Sequence, residues 1–251
     1  MIMNTMIYAL ISLIDLKTTP DIEKIKGING NSLEIITVDN IGAVVCTIDS
    51  TDLVVDNTKA IEFANVIETL SNLFNLLPVR FGSIMESNEA ITKMLEKNST
   101  QILQNLLKVK NKSEFGIKVM CDSIALKAEL ITKSIPGLSI TETQESENTS
   151  SVFRNYVEKK LKEHRIEEMI LMYVDEVISE ITTTLESLKA SFKFKKMVSE
   201  KIMIDAILLI DKQMKKELIQ AVTDLQNQYP TLRIILTGPW SPYNFVEIKL
   251  I

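Results

Sequence analysis

The chain is short of the residues from which most active sites are built. Its 251 residues include one histidine, His164, and two cysteines, Cys46 and Cys121. Two isolated cysteines make neither a disulfide framework nor a zinc site. Each lies in an apolar, strand-like run, so both are expected to be buried, reduced thiols of a cytosolic protein. His164 is flanked by Lys162, Glu163 and Arg165, the makeup of a solvated helical face, and no Ser-His-Asp or Cys-His set can be built around it. Glu167 and Glu168 are adjacent carboxylates, but neighbours on a helix do not face each other. No glycine-rich nucleotide fingerprint occurs. Gly27-Ile28-Asn29-Gly30-Asn31 comes nearest to a phosphate-cradling loop, but no Gly-Lys-Ser/Thr follows it, so it reads as a plain turn. These absences speak against an enzyme and imply neither metal nor cofactor.

Long apolar runs and excess positive charge are also missing. No run approaches the ~20 residues of a membrane span. The apolar start, Met1 to Leu16, lacks a basic leading region and a small-residue cleavage site, and is not read as a signal peptide. The Asn-x-Ser/Thr matches at Asn98, Asn111 and Asn148 are then chance. Lys and Arg number 28 against 33 Asp and Glu, a formal charge of −5, and no basic stripe is interleaved with aromatics. Neither nucleic acid nor an anionic membrane is an expected partner.

What is present is an alternation of strand and helix patterns, long enough for one large or two small domains. Strands are expected at 6–13, 33–38 and 43–48, the last two joined as a hairpin through Asp39-Asn40-Ile41-Gly42. Asp56 or Asn57 caps a helix to about Phe74, with Ala60, Phe63, Ile67, Leu70 and Phe74 on one face. A strand at 77–85 and a helix from Ser87 to about Leu107 follow. A strand at 115–121 leads to a helix begun at Asp122 or Ser123 and stopped by Pro136-Gly137. This order implies an α+β fold with a ferredoxin-like N-terminal sandwich over residues 1–138. The polar, acidic stretch 139–151 is read as a linker or loop and the domain boundary.

Residues 152–251 are read as a second α+β domain with a long helix and two hairpins. From Val152 to about Phe192 a helical stripe recurs at Ile170, Val174, Val177, Ile181, Leu185 and Leu188. Unbroken, it would be about 60 Å long at ~1.5 Å per residue. Strands at 192–198 and 202–210 come next, then a helix capped by Asp211 and ended by Pro230. The last strands, 232–237 and 245–251, flank Gly238-Pro239-Trp240-Ser241-Pro242-Tyr243-Asn244. The two prolines stiffen this turn, which holds the sole tryptophan. Trp240, Tyr243 and Phe245 either plug a core or meet a partner. The expectation is that Trp240 is mostly buried near Leu225 and Tyr229, with Tyr243 more exposed. Arg80, between Val79 and Phe81, is expected to be a buried, paired guanidinium, since an unpaired buried charge is very costly; the other reading makes it a partner-binding residue at a sheet edge.

Leu236-Thr-Gly-Pro-Trp-Ser-Pro-Tyr-Asn-Phe-Val246 resembles the C-terminal signature of the gas vesicle proteins GvpF and GvpL. Leu77-Pro-Val-Arg-Phe-Gly82 resembles their central signature. The two blocks are spaced as in that family, and the resemblance covers essentially the whole chain. Ser241 stands where a second proline is usual and Asn244 where serine is common. The resemblance implies an accessory or minor structural component of gas vesicles, acting in the cytoplasm or on the vesicle. Its implied partner is the main shell protein, with other accessory gas vesicle proteins besides, and it implies no cofactor. Capture of the aggregation-prone shell subunit before it polymerises is the mechanism expected. A ligand-binding regulatory domain of ferredoxin-like type is the alternative.

Overall fold

The structure is a computed structural model, and it describes residues 3–14, 20–49, 56–134, 149–196 and 201–246. The fold is α+β, with a five-stranded and a four-stranded sheet. The chain divides into two compact units: Met1–Phe115 with Leu209–Lys212 and Gly238–Ile251, and Gly116–Leu208 with Gln213–Thr237.

The first sheet comprises β1 (Met3–Ser12), β2 (Glu34–Val38), β3 (Ile41–Asp49), β4 (Leu76–Pro78) and β5 (Ile84–Met85). Its order is β2-β3-β1-β4, with β5 also on β1, and the ladders are antiparallel. The β2–β3 hairpin closes through Asp39 and Asn40, with Val38 opposite Ile41. Asp39 takes φ 50°, a conformation that Asp tolerates better than most residues. The crossover from β1 to β2 carries two short 3₁₀ turns where a ferredoxin-like sandwich has a helix.

Helix α1 (Asn57–Leu73) starts where its local chemistry dictates. The Asp56 carboxylate accepts the Lys59 N–H at 2.8 Å, satisfying an amide the helix itself leaves open. Phe63, Val66, Ile67 and Leu70 join Met6, Tyr8, Val44, Cys46 and Ile48 in one core. Helix α2 (Asn88–Val109) is capped in the same way by Ser87, which accepts from Ala90. It lies against β1 to β5 and buries Ile91, Leu95, Ile102 and Leu106.

Tyr8 sits at a bulge in β1, where the register shifts between Ile7 and Ala9. Its ring stacks on Phe63 with centroids 4.7 Å apart. Its hydroxyl accepts the Ile28 N–H at 2.9 Å and lies 3.6 Å from Cys46 Sγ. A Cβ on Gly27 would come within 2.7 Å of that hydroxyl, so glycine is required by space. The 27–31 loop thus spends the Ile28 amide on Tyr8, and Gly27 donates to the Asn31 carbonyl: it is a turn. Burial raises the Cys46 thiol pKa above its ordinary value and drives Tyr8 far above its own.

The run read as one strand at 77–85 is two short strands separated by a turn. Ser83 donates to the Arg80 carbonyl through its backbone N–H (3.1 Å) and its hydroxyl (2.7 Å). Gly82 sits at φ 84°, where a side chain would be strained.

The second sheet comprises β6 (Lys112–Met120), β7 (Ser191–Lys196), β8 (Ile202–Asp211) and β9 (Arg233–Trp240), in the order β7-β8-β6-β9. Strand β6 falls within the sequence segment 1–138, yet it pairs with strands from the last third of the chain. Helices α3 (Ser123–Ser134) and α4 (Thr149–Ser187) lie against each other. Asp122 caps α3, accepting from the Ile124 and Ala125 amides. Helix α4 runs unbroken through Glu163-His164-Arg165, and His164 is exposed there. Its Ile170, Val174, Val177, Ile181 and Leu185 are all buried. Helix α5 (Lys215–Gln228) buries Leu218, Val222 and Leu225. It is entered through a 3₁₀ turn, Lys212–Met214, so its N-cap is Met214 and not Asp211. The proposed boundary at 139–151 lies outside the described residues up to 148, and α4 starts at Thr149. The final strand expected at 245–251 lies outside them beyond Val246, and Phe245 and Val246 are not in a strand.

Candidate functional site

The aromatic segment is not a loose turn between two strands. Strand β9 runs through Gly238-Pro239 to Trp240, with a cis Gly238–Pro239 peptide. Two glycines bring β9 close to β6. A Cβ on Gly116 would lie 2.7 Å from Thr237 Oγ1. A Cβ on Gly238, which has φ 111°, would lie 2.8 Å from the Glu114 carbonyl oxygen and 3.0 Å from Phe115 Cδ1. Residue 238 therefore lies flush on the Glu114–Phe115 backbone, and only glycine fits.

After Trp240 the chain is pinned again. Pro242 is buried. The buried Glu114 carboxylate accepts two hydrogen bonds from Asn244. The backbone N–H reaches Oε2 at 2.8 Å and the side-chain Nδ2 reaches Oε1 at 2.5 Å. Phe245 is 4% exposed. Between these fixed points Trp240 and Tyr243 face outward, 58% and 41% exposed. Burial of Tyr243 pushes its pKa up to about 12, although the residue is not fully covered.

Several expectations change. Trp240 is not buried against Leu225 and Tyr229; it is more exposed than Tyr243. Tyr229 instead meets Tyr173 of α4 edge-on, with centroids 6.4 Å apart. Phe245 is a core residue, inaccessible to a partner in this state. Arg80 is exposed at the turn between β4 and β5, because the chain bends there, so its charge stays in solvent and no buried pair is required. Trp240, Tyr243 and Phe245 are brought into one segment; Arg80 belongs to a separate turn. Sequence reasoning missed Glu114 and Gly116. The available signal was an acid and a glycine, Glu114 and Gly116, on the face of β6 opposite the apolar alternation Phe115, Ile117, Val119.

Cys46 is buried and Cys121 half-buried, and both are free thiols. Burial raises the Cys121 pKa as well. Among the described residues no group of three or more His, Cys, Asp or Glu is placed to hold a metal ion. No helix among them is long and apolar enough to cross a membrane.

The family model described as "Gas vesicle synthesis protein GvpL/GvpF" matches residues 5–247. The chain belongs to the GvpL/GvpF family. Membership gives it a gas-vesicle-related role. It is similar to gas vesicle protein L of a Streptomyces species, 20% identical over 192 residues, covering 73% of this chain and 66% of that protein. It is also similar to gas vesicle protein F1 of Halobacterium salinarum, 29% identical over 76 residues, covering 30% of this chain and 36% of that protein. The chain thus spans just under two thirds of the first relative and about a third of the second. The crystal structure of GvpF from an Anabaena species matches with a TM-score of 0.76 at 18% identity, covering 98% of this chain and 97% of that one. GvpF from Microcystis aeruginosa also matches at 0.76, with 19% identity and coverage of 98% and 99%. At these identities the two structures speak for a shared GvpF fold.

Proposed function

We propose that this protein is an accessory or minor structural component of gas vesicle assembly. It binds the main shell protein during nucleation or growth and limits its aggregation. It works in the cytoplasm, where shell subunits are made, and at the vesicle, and it requires no cofactor. Family membership supports the process. The observation that supports a binding role is the pair Trp240 and Tyr243, exposed on a segment whose backbone is held on both sides. Aromatics of this kind dock with little loss of entropy. A shell subunit that polymerises must expose apolar surface, which suits them. Arg80, solvated at its own turn, is a further contact, of the rim type that steers association more than it strengthens it.

Mixing the purified chain with the shell protein tests this. The chain should delay light scattering by the aggregating shell protein and co-isolate with it. Replacing both Trp240 and Tyr243 by alanine should remove the effect, and Trp240→Ala alone should weaken it at an unchanged melting temperature. A wild-type chain that neither delays aggregation nor co-isolates would refute the proposal.

A further inference from the structure

We propose that Glu114 is a positioning residue: its main chain and its carboxylate grip the two ends of the Gly238–Asn244 segment and hold Trp240 and Tyr243 in a docking arrangement. The docking half of this inference rests on the function proposed above; the grip itself does not.

Glu114 is 5% exposed, on the face of β6 opposite Phe115, Ile117 and Val119; the next positions on its own face, Gly116 and Lys118, are half-buried and exposed. Packing alone does not require an acid there, since buried charges can often be replaced by apolar residues without loss of stability. A buried carboxylate is tolerated when donors solvate it. Here two come from one residue of the aromatic segment, Asn244, one to each oxygen. Hydrogen bonds to a charged acceptor are the strong kind. The Glu114 carbonyl oxygen lies 2.8 Å from where a Cβ on Gly238 would stand, so Gly238 packs directly on it. Glu114 therefore touches the segment just before Trp240 and just after Tyr243. What lies between has little freedom, and ordering it on docking costs correspondingly little. Asn244 suits the grip because its side-chain amide and backbone N–H both donate.

The test uses the full chain and its sole tryptophan. Asn244→Asp sets a second carboxylate against Glu114 and removes the side-chain donor. Glu114→Gln combined with Asn244→Asp restores an amide–carboxylate pair with the roles exchanged. Asn244→Ala removes one donor without adding charge, and covers the case in which Asn244→Asp does not fold. Tryptophan anisotropy, acrylamide quenching, circular dichroism and shell-protein capture are measured for each. Asn244→Asp and, to a smaller extent, Asn244→Ala should lower anisotropy and raise quenching while secondary structure persists. The exchanged pair should restore both. Capture should weaken on the order of ten-fold in Asn244→Asp, the loss expected when a segment must be ordered on binding, and recover in the exchanged pair. Unchanged anisotropy in a folded Asn244→Asp or Asn244→Ala chain overturns the grip. Lowered anisotropy that the exchange restores, with capture unaffected throughout, upholds the grip and overturns docking through this segment.

Discussion

Trp240 and Phe245 lie close in the chain and do opposite things. Phe245 is 4% exposed and Trp240 58% exposed. Phe245→Ala should therefore cost about 3–5 kcal/mol, the range for truncating a buried aromatic. Trp240→Ala should stay within about 0.5 kcal/mol, as surface substitutions do. Chemical denaturation of both variants checks this. Arg80→Ala should also melt like wild type, since its side chain faces solvent at a turn. The roles of these residues were hard to read from sequence for a definite reason. A segment bracketed by prolines has no period of two or of 3.6, and hence no face. Arg80 was misplaced because Leu77 to Phe81 is apolar enough to read as one strand, although Gly82 marks the bend. Tyr243 provides a pH test. Its pKa lies near 12 in the fold against an ordinary 10.0, so the folded state holds this proton more tightly than the unfolded chain. The resulting stability is complete below about pH 10 and is lost as pH rises towards 12. Tyr243→Phe should remove the part of the tyrosinate absorbance titration that appears near pH 12.

At the scale of elements, what local chemistry decides was legible. The cap of α1 at Asp56 or Asn57, the start of α2 at Ser87, the hairpin through Asp39-Asn40-Ile41-Gly42 and the stripe of α4 all follow from neighbours within a few positions. The expected Asp211 does not cap α5, because a 3₁₀ turn precedes that helix. Ile181, in that stripe, is fully buried. Ile181→Ala should cost about 2–5 kcal/mol, while Met172→Ser, at a residue 72% exposed on the same helix, should be nearly neutral. Strand partners were not legible, because pairing joins residues far apart in the chain. Strand β6 alternates correctly in the sequence, yet nothing near it tells that β8 and β9 will flank it. The close approach at Gly116 and Gly238 fits the β6–β9 pairing, and it takes coordinates to see it. Gly238→Ala should destabilise the chain by more than about 1 kcal/mol, because φ 111° is strained for alanine and its Cβ would meet the Glu114 carbonyl. A thermal melt of that variant is the check.

For the whole molecule, the α+β class and the GvpL/GvpF likeness were both readable, the first from the alternation of patterns and the second from two short blocks. The division into units was not. A polar stretch suggests a boundary near 139–151, whereas the first compact unit also takes in the segments Leu209–Lys212 and Gly238–Ile251. Composition records where a chain is polar, not where it crosses between cores. From Gly238 on, the C-terminal block belongs to the unit that holds Glu114, whose carboxylate accepts from Asn244. The direct test of this account is the emission of Trp240 during titration with the purified shell protein. Saturable binding with a blue shift and loss of acrylamide quenching is the predicted result. Shell-protein binding that leaves the tryptophan emission and its quenching unchanged would contradict it.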